Sequence, residues 1–178
     1  KAERTEVTAL AVTAEWPAII FCRTRHGCDR LKKQLSKLGV DAVAIHGGRS
    51  QNQRTRALED FTTSRAQALV ATDVAARGIH VDGVTLVVHY DPPEDHKTYV
   101  HRSGRTARAG AGGVVVSLLT PDQTKDARAV MRKIDLSEPI TEPSIDTLRA
   151  LANGEPKPER APAREIHEPR SNGGGNRK

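Results

Sequence analysis

Two periods of apolar and polar positions alternate along the chain. Between Lys1 and Glu15, Val7, Leu10, Ala11 and Ala14 fall at helical spacing among charged residues, which predicts a helix with one apolar face. Trp16-Pro17 ends it, and Ala18–Cys22 follows as a continuous apolar run, the mark of a strand buried on both faces of a parallel sheet. Cys28, Leu31, Leu35 and Leu38 then form one stripe of a second helix, stopped by Gly39. The pattern repeats: strand Ala42–Ile45, a Gly47-Gly48 break, and a helix to about Phe61 opened by a Ser50/Gln53 capping box. Strands over Ala68–Ala71 and Val84–Tyr90, a polar helix from Asp95 to about Ser103, and a strand over Gly113–Leu119 come next. Thr120, Pro121 and Gln123 start a helix to about Ile134, and Ser144–Ala152 reads as one more short helix.

Strands alternating with helices predict an α/β fold: three layers, a mostly parallel central sheet and helices on both faces. Ligands of such sheets bind beyond the carboxyl ends of the strands. The loops to inspect are therefore Arg23–Gly27, His46–Ser50, Thr72–Asp82 and Asp91–Asp95. The pattern assigns residues 1–152 to the folded domain. Residues 153–178 differ: from Gly154 onward there are four prolines, four glycines, no aromatic residue, and six basic against four acidic side chains. That composition predicts a disordered basic tail.

Composition narrows the chemistry. Of 178 residues, 28 are Lys or Arg and 22 Asp or Glu, a net charge of +6 that permits an anionic partner. The aromatic residues are Trp16, Phe21, Phe61, Tyr90 and Tyr99 alone, too few to grip RNA by stacking bases, which leaves the backbone as the handle. Cys22 and Cys28 make no CxxC pair, so reduced thiols in a cytoplasmic protein are expected rather than zinc or a disulfide framework. His26, His89, His96 and His167 likewise lack partners at metal spacing, and no metal site is expected. No apolar run approaches the roughly 20 residues of a membrane helix, and no charged-then-apolar leader opens the chain. Since it begins with Lys1 and holds a single methionine, Met131, a fragment of a longer polypeptide is expected.

Three segments carry chemistry. His101–Gly110 holds Arg102, Arg105 and Arg108 with no acid among them. Arg102 and Arg105 can share a helical face and Arg108 falls where the helix should end, so two guanidiniums can converge on a phosphoryl anion. Ala71–His80 is read as a small-residue loop after a buried strand, where backbone N–H groups, Thr72 and Arg77 can meet an oxyanion. His46–Arg54 is a glycine turn feeding a helix N-terminus, a phosphate-binding arrangement.

In this order, with Ala18–Arg25 and the Val87–Pro92 strand end, the segments resemble domain 2 of a DEAD-box RNA helicase, and Tyr99–Gly110 resembles that family's H-R-x-G-R-x-x-R-x-G motif. The resemblance covers about residues 1–135 and implies a RecA-like fold. It also implies half of an ATP-dependent RNA helicase, with ATP bound between this domain and an N-terminal RecA-like domain that holds Mg2+. Neither GxxxxGK[ST] nor a DEAD tetrapeptide occurs in this chain, so the fragment alone is expected to be inactive. The resemblance makes Arg105 and Arg108 arginine fingers and sets Gly78 and His80 beside the nucleotide. It places Thr24, Gln51, Arg54 and Thr72 on the RNA backbone, Arg77 and His101 at the domain interface, and Arg102 in a bracing pair with a local carboxylate. His80 stands where the family usually has Asp, which alters the expected ribose contact; Ser103 and Ala107 replace the common Ile and Gly. A non-catalytic RecA-like RNA-binding or scaffold module is the alternative, and a DNA-directed relative a third reading. The bias of 19 Arg to 9 Lys points to a GC-rich bacterial genome.

Overall fold

The computed structural model describes residues 2–79, 81–107, 112–142, 144 and 146. Its elements are α1 (Ala2–Ala14), β1 (Ala18–Phe21), α2 (Arg25–Lys37), β2 (Ala42–Ile45), α3 (Gln51–Thr62), β3 (Ala68–Ala71), α4 (Asp73–Ala76), β4 (Leu86–His89), α5 (His96–Ser103), β5 (Val114–Ser117), a 3-10 turn at Pro121–Gln123 and α6 (Thr124–Lys133). The five strands form one sheet in the order β2-β3-β1-β4-β5, every pairing parallel.

Strand alternation splits the core between two faces. Ala18, Ile20, Val70, Leu86 and Val88 point to the face covered by α1 and α2, where Val12, Leu31 and Leu35 are fully buried. Ile19, Phe21, Leu69 and Val87 point to the other, covered by Phe61 of α3 and Ala75 and Ala76 of α4. Both faces being dry, β1 and β3 read as unbroken apolar runs, as expected.

Three expectations need correcting. The stripe of α2 ends at Leu35, and Leu38 is half exposed. Gly39, at φ +81°, turns the chain so that its N–H donates to Ser36 O and that of Val40 donates to Leu35 O, which puts Val40 in the core in place of Leu38. In α1 the fully buried line is Thr8 and Val12, with Thr5, Val7, Ala9 and Ala11 close behind, while Leu10 and Ala14 are half-buried. Threonines are tolerated there because Thr8 Oγ1 donates to Arg4 O (2.7 Å) and Thr5 Oγ1 pairs with Tyr90 Oη (3.1 Å). Third, β4 spans Leu86–His89 and β5 Val114–Ser117, both shorter than their apolar runs. The helix expected over 144–152 and the tail over 153–178 fall, residues 144 and 146 apart, outside the described residues. Among those described, no helix is long and apolar enough to cross a membrane.

His89 ends β4 wholly inside the protein, its Nδ1 2.8 Å from Ser117 Oγ and its ring edge-on to Tyr99 at 5.1 Å. Burial, reinforced by the charge of Arg102 and only partly offset by Asp73, pushes its pKa down to about 3. The folded state thus holds the neutral imidazole. The resulting stability is complete above the unfolded value of about 6.5 and is lost as pH falls from there towards 3, at about 1.4 kcal/mol per unit. Urea unfolding at pH 6.5 and 4.5 should differ by roughly 2–3 kcal/mol more in the wild type than in His89→Gln. Parallel pH dependences in the two proteins would refute this role.

Candidate functional site

Beyond the carboxyl ends of β2, β3 and β1 three loops lie side by side, because Ile45, Ala71 and Phe21 are register partners. Cys22 N donates to Ala71 O (3.0 Å), which continues the pairing into the loops. This edge brings together Thr24, Gln51, Arg54 and Thr72. Thr24 caps α2, its Oγ1 accepting from Gly27 N (3.0 Å). Ser50 caps α3 with the expected capping box, Oγ accepting from Gln53 N and Gln53 Oε1 from Ser50 N. Gln51 opens α3 in an exposed position, and half-buried Arg54 follows within the first turn, its Nε without a hydrogen-bond partner among the described residues. Thr72 caps α4, but its hydroxyl makes no capping hydrogen bond. The segment read as a loop after β3 therefore contains one helical turn.

The β2–α3 loop is tied to α2 by Asp29, which sequence reading missed. Asp29 Oδ1 accepts from Arg49 Nη2 and lies 3.1 Å from His46 Nε2. His46 Nδ1 accepts from Gly48 N (3.2 Å), so the network assigns the ring proton to Nε2, facing the carboxylate. Burial alone pushes the Asp29 carboxyl up, but hydrogen bonds from His46 and Arg49 outweigh it and hold it below its ordinary value.

A second cluster lies in a cleft between α4 and α5, lined by Asp73, Ala76, Arg77, His101, Arg102 and Arg105 over the edge of Phe21. Arg102 is buried and forks onto Asp73, Nε to Oδ1 and Nη2 to Oδ2 at 2.7 Å each, while Nη1 donates to Asp91 O (2.7 Å). It is the bracing arginine the resemblance implies. Arg102 and Arg105 do not share a helical face: α5 ends at Ser103, Gly104 caps it, and Arg105 sits in the following turn. There Arg105 Nη1 donates to Ile79 O (2.8 Å), just after Gly78, whose φ of +76° strongly favours glycine. Arg77 and His101 are exposed at the mouth of this cleft. His80 and Arg108 lie outside the described residues.

Asp95 caps α5, its carboxylate accepting from Thr98 N (2.8 Å), and that backbone hydrogen bond holds it below the ordinary carboxylate range. Glu94-Asp95 thus serves a helix start rather than acid–base chemistry. Cys22 and Cys28 are free and buried, and the hydrogen bond between them, with burial, pushes the Cys22 thiol up. Such thiols are inert.

Two clusters, one threonine-and-amide edge and one arginine cleft, thus flank the single turn of α4. Comparison with known proteins bears on what they do. The helicase conserved C-terminal domain family matches residues 4–110. The DEAD-box ATP-dependent RNA helicase 30 of Arabidopsis thaliana is 40% identical over 130 residues, 73% of this chain and 22% of that protein. ATP-dependent RNA helicase RhlB of Klebsiella pneumoniae is 40% identical over 174 residues, 96% of this chain and 41% of RhlB. The chain therefore spans less than half the length of these relatives. Among solved structures, the E. coli DEAD-box protein SrmB bound to regulator of ribonuclease activity A superposes with a TM-score of 0.73 at 34% identity, covering 92% of this chain and 93% of SrmB's. S. cerevisiae Dbp5 bound to RNA and ADP BeF3 superposes with a TM-score of 0.67 at 31% identity, covering 74% and 36%.

Proposed function

The chain belongs to the helicase conserved C-terminal domain family, in company with DEAD-box RNA helicases, and from that premise we propose that it is the C-terminal RecA-like half of an ATP-dependent RNA helicase. Residues 1–152 form that half, and the N-terminal RecA-like domain, with its phosphate loop and Mg2+ ligands, is its partner. The observation that carries this reading is the position of α4. Thr72, assigned to RNA, caps its first turn, and Arg77, assigned to the domain interface, follows its last. One turn of helix thus joins the RNA edge to the arginine cleft, and Asp73 within it grips Arg102 of α5. A shift of α4 on RNA binding would reach the cleft through the Asp73–Arg102 pair.

The cleft suits a polyphosphate. Its carboxylate, Asp73, is engaged by Arg102, which leaves Arg77, His101 and Arg105 as a basic lining. ATP supplies the phosphoryl group whose transfer to water drives the cycle. Arg105 and Arg108 stabilise the charge that develops on it once the two domains close. Gly78 and His80 face the nucleotide, while Thr24, Gln51, Arg54 and Thr72 hold the RNA backbone. Hydroxyls, an amide and a guanidinium are all able to donate to sugar and phosphate oxygens, the contacts that hold a strand whatever its sequence.

Arg54→Ala should weaken binding to single-stranded RNA by a similar factor whatever the sequence, and reduce the slope of log affinity against log salt by about 0.7. Fluorescence anisotropy with oligo-U and oligo-A across a salt series reads both. A loss confined to one sequence, or none, would contradict the backbone assignment.

A further inference from the structure

Arg25 is the first residue of α2, exposed, and without an ion pair or hydrogen bond among the described residues. A cation is electrostatically misplaced there, since the helix dipole already makes that end positive. No acid in the first turn of α2 or of neighbouring α3 offsets it. The nearby arginines are engaged elsewhere: Arg23 pairs with Glu94 (3.6 Å) and Arg49 with Asp29. The Arg25 side chain does not simply trail into solvent. It lies against the β2–α3 turn, where a Cβ on Gly47 would stand 3.2 Å from its Nη2 and one on Gly48 3.7 Å from its Cδ. Gly47 thus makes room for the tip of this guanidinium, while a Cβ on Gly48 would meet His46 Nδ1 first, at 3.2 Å. The cradle spans the gap between the Thr24 loop and the start of α3, with Gln51 and Arg54 beyond it, and Asp29 holds the turn against α2.

We propose that Arg25, seated on the Gly47-Gly48 turn, is a further contact to the RNA backbone, bridging phosphates between Thr24 and Gln51/Arg54. The proposal rests on the RNA reading of that edge. It accounts for a cation placed where its own helix disfavours it, and for glycine at position 47 although the backbone there is not left-handed. A guanidinium presents a fork of donors, so it can hold one phosphate while staying packed on the turn.

The test is anisotropy of the 178-residue protein with single-stranded oligo-U and oligo-A, salt being varied, for Arg25→Gln, Gly47→Ala and the reference Arg54→Ala. Arg25→Gln should lower the salt slope by about 0.7, which is about fivefold in affinity per tenfold in salt, equally for both sequences. Gly47→Ala, which displaces the guanidinium without changing net charge, should weaken binding too while leaving the thermal midpoint within a few degrees of wild type. If Arg54→Ala weakens binding and Arg25→Gln does not, the proposal is overturned and the RNA edge stands. If Arg25→Gln weakens binding and Gly47→Ala does not, the cradle is overturned. If none of the three changes binding, the RNA reading falls and this proposal with it.

Discussion

Asp73→Ala is expected to lower the free energy of unfolding by about 3 kcal/mol, the cost of leaving the buried Arg102 charge without its carboxylate. Arg102 is 4% exposed, its Cζ lies 5.1 Å from the Phe21 ring centroid, and Asp73 receives two of its N–H groups. Removing the carboxylate strands a charged fork between α5 and the sheet, with only Asp91 O left to accept from it. Asp73 itself is about a third exposed, so the reverse change, Arg102→Ala, leaves a carboxylate that water can reach. It should cost less per charge but open a void beside Phe21. A double-mutant cycle separates the two effects, because the Asp73→Ala/Arg102→Ala protein should be more stable than the sum of the single changes predicts. Urea unfolding of Asp73→Ala within 1 kcal/mol of wild type would show that the pair does not brace the cleft.

Much of the fold can be read from the sequence because local rules and tertiary packing agree in it. The apolar runs of β1 and β3, the Ser50/Gln53 box and the Gly39 stop each have a cause within a few residues, and each is found in place. Periodicity failed where a distant partner decides burial. Leu38 continues the stripe of α2 in sequence, yet the left-handed turn at Gly39 gives its place to Val40. The buried threonines of α1 are apolar in neither composition nor period; Thr5 is admitted by Tyr90, 85 residues away.

The candidate site divides the same way. The family resemblance groups Thr24, Gln51, Arg54 and Thr72, and parallel register brings the loops that carry them to one edge of the sheet. No spacing rule reveals Asp29, whose partners His46 and Arg49 lie across a strand, or Asp73, 29 residues from Arg102. Asp73 opens α4, where a helix-dipole role hides a tertiary one, and Asp29 lies just past the first turn of α2, where it reads as an ordinary surface charge. The short turn of α4 was hidden too, since four small residues after a strand suit a loop equally well.

The largest functional effect should come from Arg105. Its Nη1 is anchored by Ile79 O, so its place in the cleft does not depend on bound nucleotide. Arg105→Ala within the complete helicase should reduce RNA-stimulated ATP turnover by about 10³-fold or more, as loss of an arginine finger does in related phosphoryl-transfer enzymes. Affinity for RNA should change little, because the edge proposed to hold RNA lies on the other side of α4. Arg105→Lys should recover only part of the loss, since an ammonium lacks the fork. Urea unfolding of Arg105→Ala, with the protein still folded under the assay conditions, separates loss of the finger from loss of the fold.

The central claim is that this chain is one half of a composite ATPase. It is tested most directly by ATP hydrolysis, with and without single-stranded RNA, for the 178-residue chain alone and for a polypeptide joining it to an N-terminal RecA-like domain. The account predicts no turnover by the chain alone, RNA-stimulated turnover by the joined protein, and loss of that turnover in Arg105→Ala. RNA-stimulated hydrolysis by the chain alone, or equal turnover in the joined wild type and Arg105→Ala, would contradict it.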